Sequence, residues 1–174
     1  MRRVAVLAVA LGLAAAAPAG ADERSRLTEE VNEARAALTE KDPSLAAEIS
    51  RAAGYALFPG VGKGAMGIGA ARGTGQVVVK GNHVAKVTLT QVTIGFQLGG
   101  QKYVELILFE NESVLRDFMD DSFTMAAQVS AVAAASGAAA NAKYTNAVKV
   151  ITMAVGGLMY EASVGGQKFN VSRY

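Results

Sequence analysis

Cysteine is absent from this 174-residue chain, and histidine occurs once, at His83. The first absence excludes disulfides, thiol catalysis, thiolate metal sites and lipid attachment at a cysteine. The second excludes a histidine-rich metal centre. Tryptophan is absent too, so an outer-membrane barrel would lack that residue for its interfacial girdle. Phe169 and Val171 are also out of phase with Tyr174, which speaks against the same reading. Acidic residues are missing from 54–104, where 5 basic side chains stand alone. The N-terminal apolar run is also too short to span a membrane. Residues 4–17 form an apolar run of 14, short of the roughly 20 that a bilayer needs.

That short run has another use. Arg2 and Arg3 precede it, Pro18 breaks it, and Ala19-Gly20-Ala21 offers small residues to signal peptidase. Residues 1–21 are therefore expected to be a secretory signal peptide cut before Asp22, leaving one domain over 22–174 outside the cytoplasm, in the periplasm or peripheral to a membrane. The chain as given has 17 basic and 15 acidic residues. Loss of Arg2 and Arg3 would leave it neutral, so the charge distribution says more than the total. Residues 22–53 carry 5 basic and 8 acidic side chains, and residues 105–121 carry 1 and 6. The positive stretch between them could form a local positive surface on a neutral protein.

Periodicity gives the elements. Leu27, Val31, Ala34 and Leu38 fall on one helical face. Asp42-Pro43 starts a second helix, with Leu45, Ile49 and Ala53 on its face and Gly54 as a left-handed stop. The pattern then turns to strands. Residues 55–58 form one stopped by Pro59, a glycine-rich strand follows around 66–71, and 76–80 form another before a Gly81-Asn82 turn. Val87 and Leu89 are apolar at odd numbers, whereas Val92, Ile94, Phe96 and Leu98 are apolar at even ones; a β-bulge near 90–91 would reconcile them. Gly99-Gly100 reads as a hairpin turn into a buried strand over 103–109. A short helix follows over 111–121, striped by Val114, Leu115, Phe118 and Met119. The uncharged stretch 122–142 admits three readings: membrane span, alanine-rich soluble helix or strand. Its polar residues weaken the first, and alternation selects strand for 123–134. Further strands are expected over 148–155 and 158–164. Gly-Gly-Gln-Lys occurs at 99–102 and again at 165–168, which the shared chemistry of two hairpin turns explains. The expected fold is α+β, a single domain dominated by an antiparallel sheet, with two N-terminal helices and one short internal helix.

Catalytic and cofactor motifs do not assemble. Gly62-Lys-Gly-Ala-Met-Gly67 has dinucleotide-loop spacing, but the residues after it alternate as in a strand, where a pyrophosphate site requires a helix. His83 has no nucleophile elbow and reads as a solvated turn residue. The acids at Glu110, Glu112, Asp117, Asp120 and Asp121 lack EF-hand spacing. No catalytic residue, metal site or cofactor is expected. Bare glycines at Gly67, Gly69 and Gly95 leave room over the sheet for the protein's own helix or for an apolar ligand.

Several blocks together resemble the SYLF domain family. They are Gly54-Tyr-Ala-Leu-Phe-Pro-Gly-Val-Gly-Lys-Gly64, the Gly67-Ile-Gly69 and Gly73-Thr-Gly75 pairs, Thr90-Gln-Val-Thr-Ile-Gly-Phe-Gln-Leu-Gly-Gly-Gln101, Glu105-Leu-Ile-Leu-Phe109 and Gly156-Gly-Leu-Met-Tyr-Glu-Ala-Ser-Val-Gly-Gly-Gln-Lys-Phe169. The resemblance spans about 45–172 and is to the exported, stand-alone bacterial branch. It implies a compact α+β fold and non-enzymatic binding of anionic phospholipid, with actin binding in some eukaryotic members. An exported chain would not meet actin, so actin is set aside, and no nucleic-acid partner is expected. Lys63, inside the first block, is the leading headgroup candidate; Arg72, Lys80, Lys86 and Lys102 follow from the charge count alone. The alternative is a structural or interaction protein of the cell envelope, whose positive stretch meets an acidic partner or another copy.

Overall fold

The computed structural model describes residues 19–63, 70–92, 102–120, 131–155 and 166–174. It contains a seven-stranded, mostly antiparallel sheet with helices on both faces. In chain order the elements are α1 (Ala19–Lys41), α2 (Leu45–Arg51), β1 (Gly54–Lys63), β2 (Ala70–Val79), β3 (Asn82–Val92), β4 (Lys102–Phe109), α3 (Glu112–Met119), β5 (Ala131–Ala133), α4 (Ala138–Asn141), β6 (Val148–Val155) and β7 (Gln167–Arg173). Strand order is β5-β6-β4-β1-β2-β3-β7, and only the β5–β6 pair is parallel. The expected α+β class stands, with the four-residue α4 as an additional helix.

The sheet separates two cores. On one face Leu27, Val31, Ala34 and Leu38 of α1 and Leu45 of α2 pack with Leu57, Val78, Leu106, Leu108 and Ile151. On the other, Leu115 and Phe118 of α3 pack with Phe58, Val87, Leu89, Phe109 and Phe169. The face bearing α3 is concave. Gln167 Nε2 of β7 donates to Glu105 Oε2 of β4 at 2.9 Å, although three strands lie between them. A flat sheet would hold those strands roughly 19 Å apart at about 4.8 Å per spacing. The Phe58 and Phe169 rings, from β1 and β7, are likewise only 6.0 Å apart. The sheet has curled until its two halves meet over α3.

Pro59 does not stop β1. The register of β1 shifts between Leu57 and Val61 against β2 and between Phe58 and Val61 against β4. Pro59 and Gly60 occupy that bulge, where a missing N–H breaks no ladder bond and the strand bends. Opposite it, a Cβ on Gly75 would lie 2.2 Å from the Leu57 carbonyl oxygen, so β2 must be bare there. Gly54 is not a left-handed stop either. The α2 helix ends at Arg51, and Gly54 opens β1 with Leu115 and Val78 packed tightly over it.

Three further expectations change. The β2–β3 pairing runs unbroken from Val77 to Ala70, through Thr90 and Gln91, and its one irregularity lies between Val77 and Val78. The inward phase of Val87 and Leu89 continues with a buried polar residue, Gln91, so no bulge is needed there. The β2–β3 turn centres on Lys80 (φ 49°) and Gly81 (φ 81°), one residue earlier than Gly81-Asn82; both left-handed residues match the strand twist. Finally, β4 pairs with β1 and β6 rather than returning along β3. The strand reading of 123–134 survives where described, as β5. The glycine-rich strand around 66–71 is described only from Ala70 onward, within β2. The Gly99-Gly100 turn, residues 121–130, the 158–164 strand and the glycines at 67, 69 and 95 lie outside the described residues. At the second Gly-Gly repeat, Gly166 takes φ 77°, as a turn requires.

Candidate functional site

The α1 helix covers its face of the sheet only in part. Its buried stripe of Leu27, Val31, Ala34 and Leu38 fastens it down. The next row, Glu30, Glu33 and Ala37, overhangs an open cleft of about 800 Å3. The sheet wall of that cleft carries Arg72 and Thr74 from β2 and Lys102 from β4, with Val104, Met153 and Val155 as apolar floor. Val155 is 49% exposed, one of two large apolar side chains so open among the described residues.

The bare backbone of β1 brings the two cations to one place. A Cβ on Gly60 would lie 2.2 Å from Lys102 Cε, so the lysine stem runs across the glycine from the neighbouring strand. Arg72 stands on the other side of β1, paired in register with Gly62. Neither cation closes an ion pair within 4.0 Å among the described residues, nor do Glu30 and Glu33 opposite them.

A polar clasp holds the N-terminal half of α1. Gln76, fully buried in β2, donates to Thr28 Oγ1 at 3.0 Å and to the Tyr174 hydroxyl at 2.6 Å. Its Oε1 lies 2.6 Å from His83 Nδ1, so the neutral ring donates from that nitrogen. Burial, with Arg35 and Arg24 nearby, holds the His83 pKa below its usual range. Arg24 donates to the His83 carbonyl at 3.3 Å and lies 3.9 Å over the Tyr174 ring. His83 is thus a half-buried structural residue at the start of β3, not a solvated turn side chain.

The five lysine and arginine candidates separate. Arg72 and Lys102 share the cleft. Lys86 is ion-paired with Glu23 at 2.5 Å and so fastens α1. Lys80 sits in the β2–β3 turn beside α3 and Arg173, on another surface. Lys63 ends β1 opposite Ala71, and its side chain lies outside the described residues. Glu30 and Glu33 were missed because an exposed acidic row on an amphipathic helix looks like an ordinary solvated face.

A second polar group lies inside the curled sheet. Glu105 is fully buried, with Gln167 bonded to one oxygen and its Oε1 unpartnered. Burial pushes its carboxyl up to about 7, against the opposing hydrogen bonds from Gln167 and Tyr103. The signal was present as an acid between Val104 and Leu106 in an otherwise apolar strand. Among the described residues no cluster of three or more histidine or acidic side chains is placed to hold a metal. No helix there is long and apolar enough to cross a membrane.

No curated protein matches the chain. A family model does: Ysc84, described as a Las17-binding protein actin regulator, matches residues 90–173, in agreement with the resemblance of the sequence blocks to the SYLF family.

Proposed function

We propose that the chain is an exported, non-enzymatic module that binds phospholipid in the cleft beneath α1. The phosphate would meet Arg72 and Lys102, and the acyl stem would lie on Val104, Met153 and Val155. The observation that carries this reading is the pairing of two cations, unpaired among the described residues, with an apolar floor that Val155 leaves open to solvent, in one cleft of about 800 Å3, a size usual for small-molecule sites. The family description names an actin regulator. Actin is left aside because residues 1–21 have the form of a secretory signal. A cut before Asp22 would remove none of the α1 side chains that bury against the sheet or bond to it.

Each cation near an anionic surface contributes about 1 kcal/mol. The doubly reversed variant Arg72→Glu/Lys102→Glu should therefore lose most flotation with vesicles containing phosphatidylglycerol, at low salt, while its melting temperature holds. Undiminished flotation of that variant would reject the cleft as the lipid site.

A further inference from the structure

The two walls of the cleft carry opposite charge. Arg72 and Lys102 stand on the sheet side, while Glu30 and Glu33 stand on α1. Side chains this long commonly close ion pairs when they can reach. Here no such pair forms, and none of the four has a hydrogen bond among the described residues. The neighbouring contacts show that this chain does form close pairs where geometry allows: Lys86 meets Glu23 at 2.5 Å, one helical turn or more from Glu30 on the same α1. The cleft therefore holds a separated charge couple across a gap, with apolar floor beneath it.

A purely anionic ligand fits only one wall. Its phosphate would gain Arg72 and Lys102 but would lie across from two carboxylates, and like charges facing each other oppose binding. A purely cationic amphiphile has the reverse difficulty. A ligand with a phosphate at one end of its head and an ammonium at the other satisfies both walls, and its acyl stem accounts for the floor. We infer that the cleft selects a phospholipid whose headgroup bears a primary ammonium, as in phosphatidylethanolamine, with phosphate on the Arg72/Lys102 wall and ammonium on the Glu30/Glu33 wall. A primary ammonium can donate charge-assisted hydrogen bonds to these carboxylates, whereas a quaternary one cannot. This inference rests on the lipid reading above and adds to it the class of headgroup.

The test uses vesicles of phosphatidylcholine doped with equal fractions of phosphatidylethanolamine, its N-acetylated derivative or phosphatidylglycerol. N-acetylation keeps the phosphate and removes the ammonium. Wild-type protein should bind the phosphatidylethanolamine vesicles about tenfold more tightly than the N-acetylated ones, the scale of one charge-assisted hydrogen bond. The Glu30→Gln/Glu33→Gln variant should lose that preference and gain affinity for phosphatidylglycerol, with unchanged melting. The headgroup assignment is overturned if wild type binds N-acetylated or phosphatidylglycerol vesicles as tightly as phosphatidylethanolamine ones. In that case sensitivity to Arg72→Glu/Lys102→Glu would still uphold the lipid site. Failure of wild type to bind any of the three would overturn both.

Discussion

Glu105 shows what one buried group does to the pH response of the whole chain. It is fully buried and has a single hydrogen-bonded oxygen, so the protonated form is favoured in the folded state and its pKa rises to about 7 from 4.5. A raised folded pKa means that the protonated acid contributes its full share of stability below the unfolded value. That share is lost as pH rises through the folded value. The difference corresponds to about 3 kcal/mol, to order of magnitude. The melting temperature should fall between about pH 5 and pH 8, and Glu105→Gln should flatten the fall and be the more stable protein at the alkaline end. His83 acts oppositely, since its depressed pKa removes stability as pH falls. The diagnostic quantity is thus the difference between wild type and Glu105→Gln across the pH series. A difference that does not change with pH would refute the assignment.

At the scale of elements, short helices are held by polar anchors where their apolar stripes are too small. Asp42 follows α1 and is fully buried. Burial alone would raise its pKa, but bonds from Ser44, Ala139 and Gly137 outweigh it and hold the carboxyl below its usual range. The Gly137 and Ala139 amides are at the start of α4, so Asp42 joins the α1–α2 corner to a helix 95 residues away at Gly137. Nearby, Lys149 of β6 reaches Glu48 of α2 at 2.5 Å and the Ala139 carbonyl at 3.0 Å, with both charged groups buried. Arg51, itself largely exposed, also bonds to Glu48 Oε1, so removing Lys149 leaves the buried carboxylate with one of its two cations. Lys149→Met should cost up to about 3 kcal/mol, whereas Lys149→Met/Glu48→Leu should recover much of that loss. Chemical denaturation of the two variants checks this, and equal losses would show that the pair is not coupled.

The whole molecule decides which charges act together. Residues 54–104 are uniformly basic in sequence, yet the folded chain disperses them. Arg72 and Lys102 converge, Lys86 is spent on Glu23, and Lys80 lies against α3. Membrane attraction should consequently come from Arg72 and Lys102 rather than from Lys80 and Lys86. Lys80→Glu should leave vesicle affinity within about twofold of wild type, while Arg72→Glu should lower it at least fivefold, the equivalent of about 1 kcal/mol. Equal effects in cosedimentation at low salt would mean that charge acts diffusely and that the cleft confers nothing.

Period and punctuation were enough to read the α+β class, the α1 stripe from Leu27 to Leu38, the α3 stripe and the β6 strand, because each depends on neighbours a few residues apart. Cysteine and histidine counts likewise closed off whole classes of chemistry before any fold was known. The positions misread from sequence depended on distant partners. Pro59 could remain in β1 only because a bulge removed the need for its N–H, and Gly75 was bare because the Leu57 carbonyl approached from another strand. Gln91 and Glu105 could face inward because Gln167, far along the chain, was brought to them by the curl of the sheet. Composition supplied the cations, acids and apolar residues of the cleft. Only the packing of α1 across β1, β2 and β4 set Arg72 and Lys102 opposite Glu30 and Glu33, since a charge pattern along a chain carries no information about which strands become neighbours.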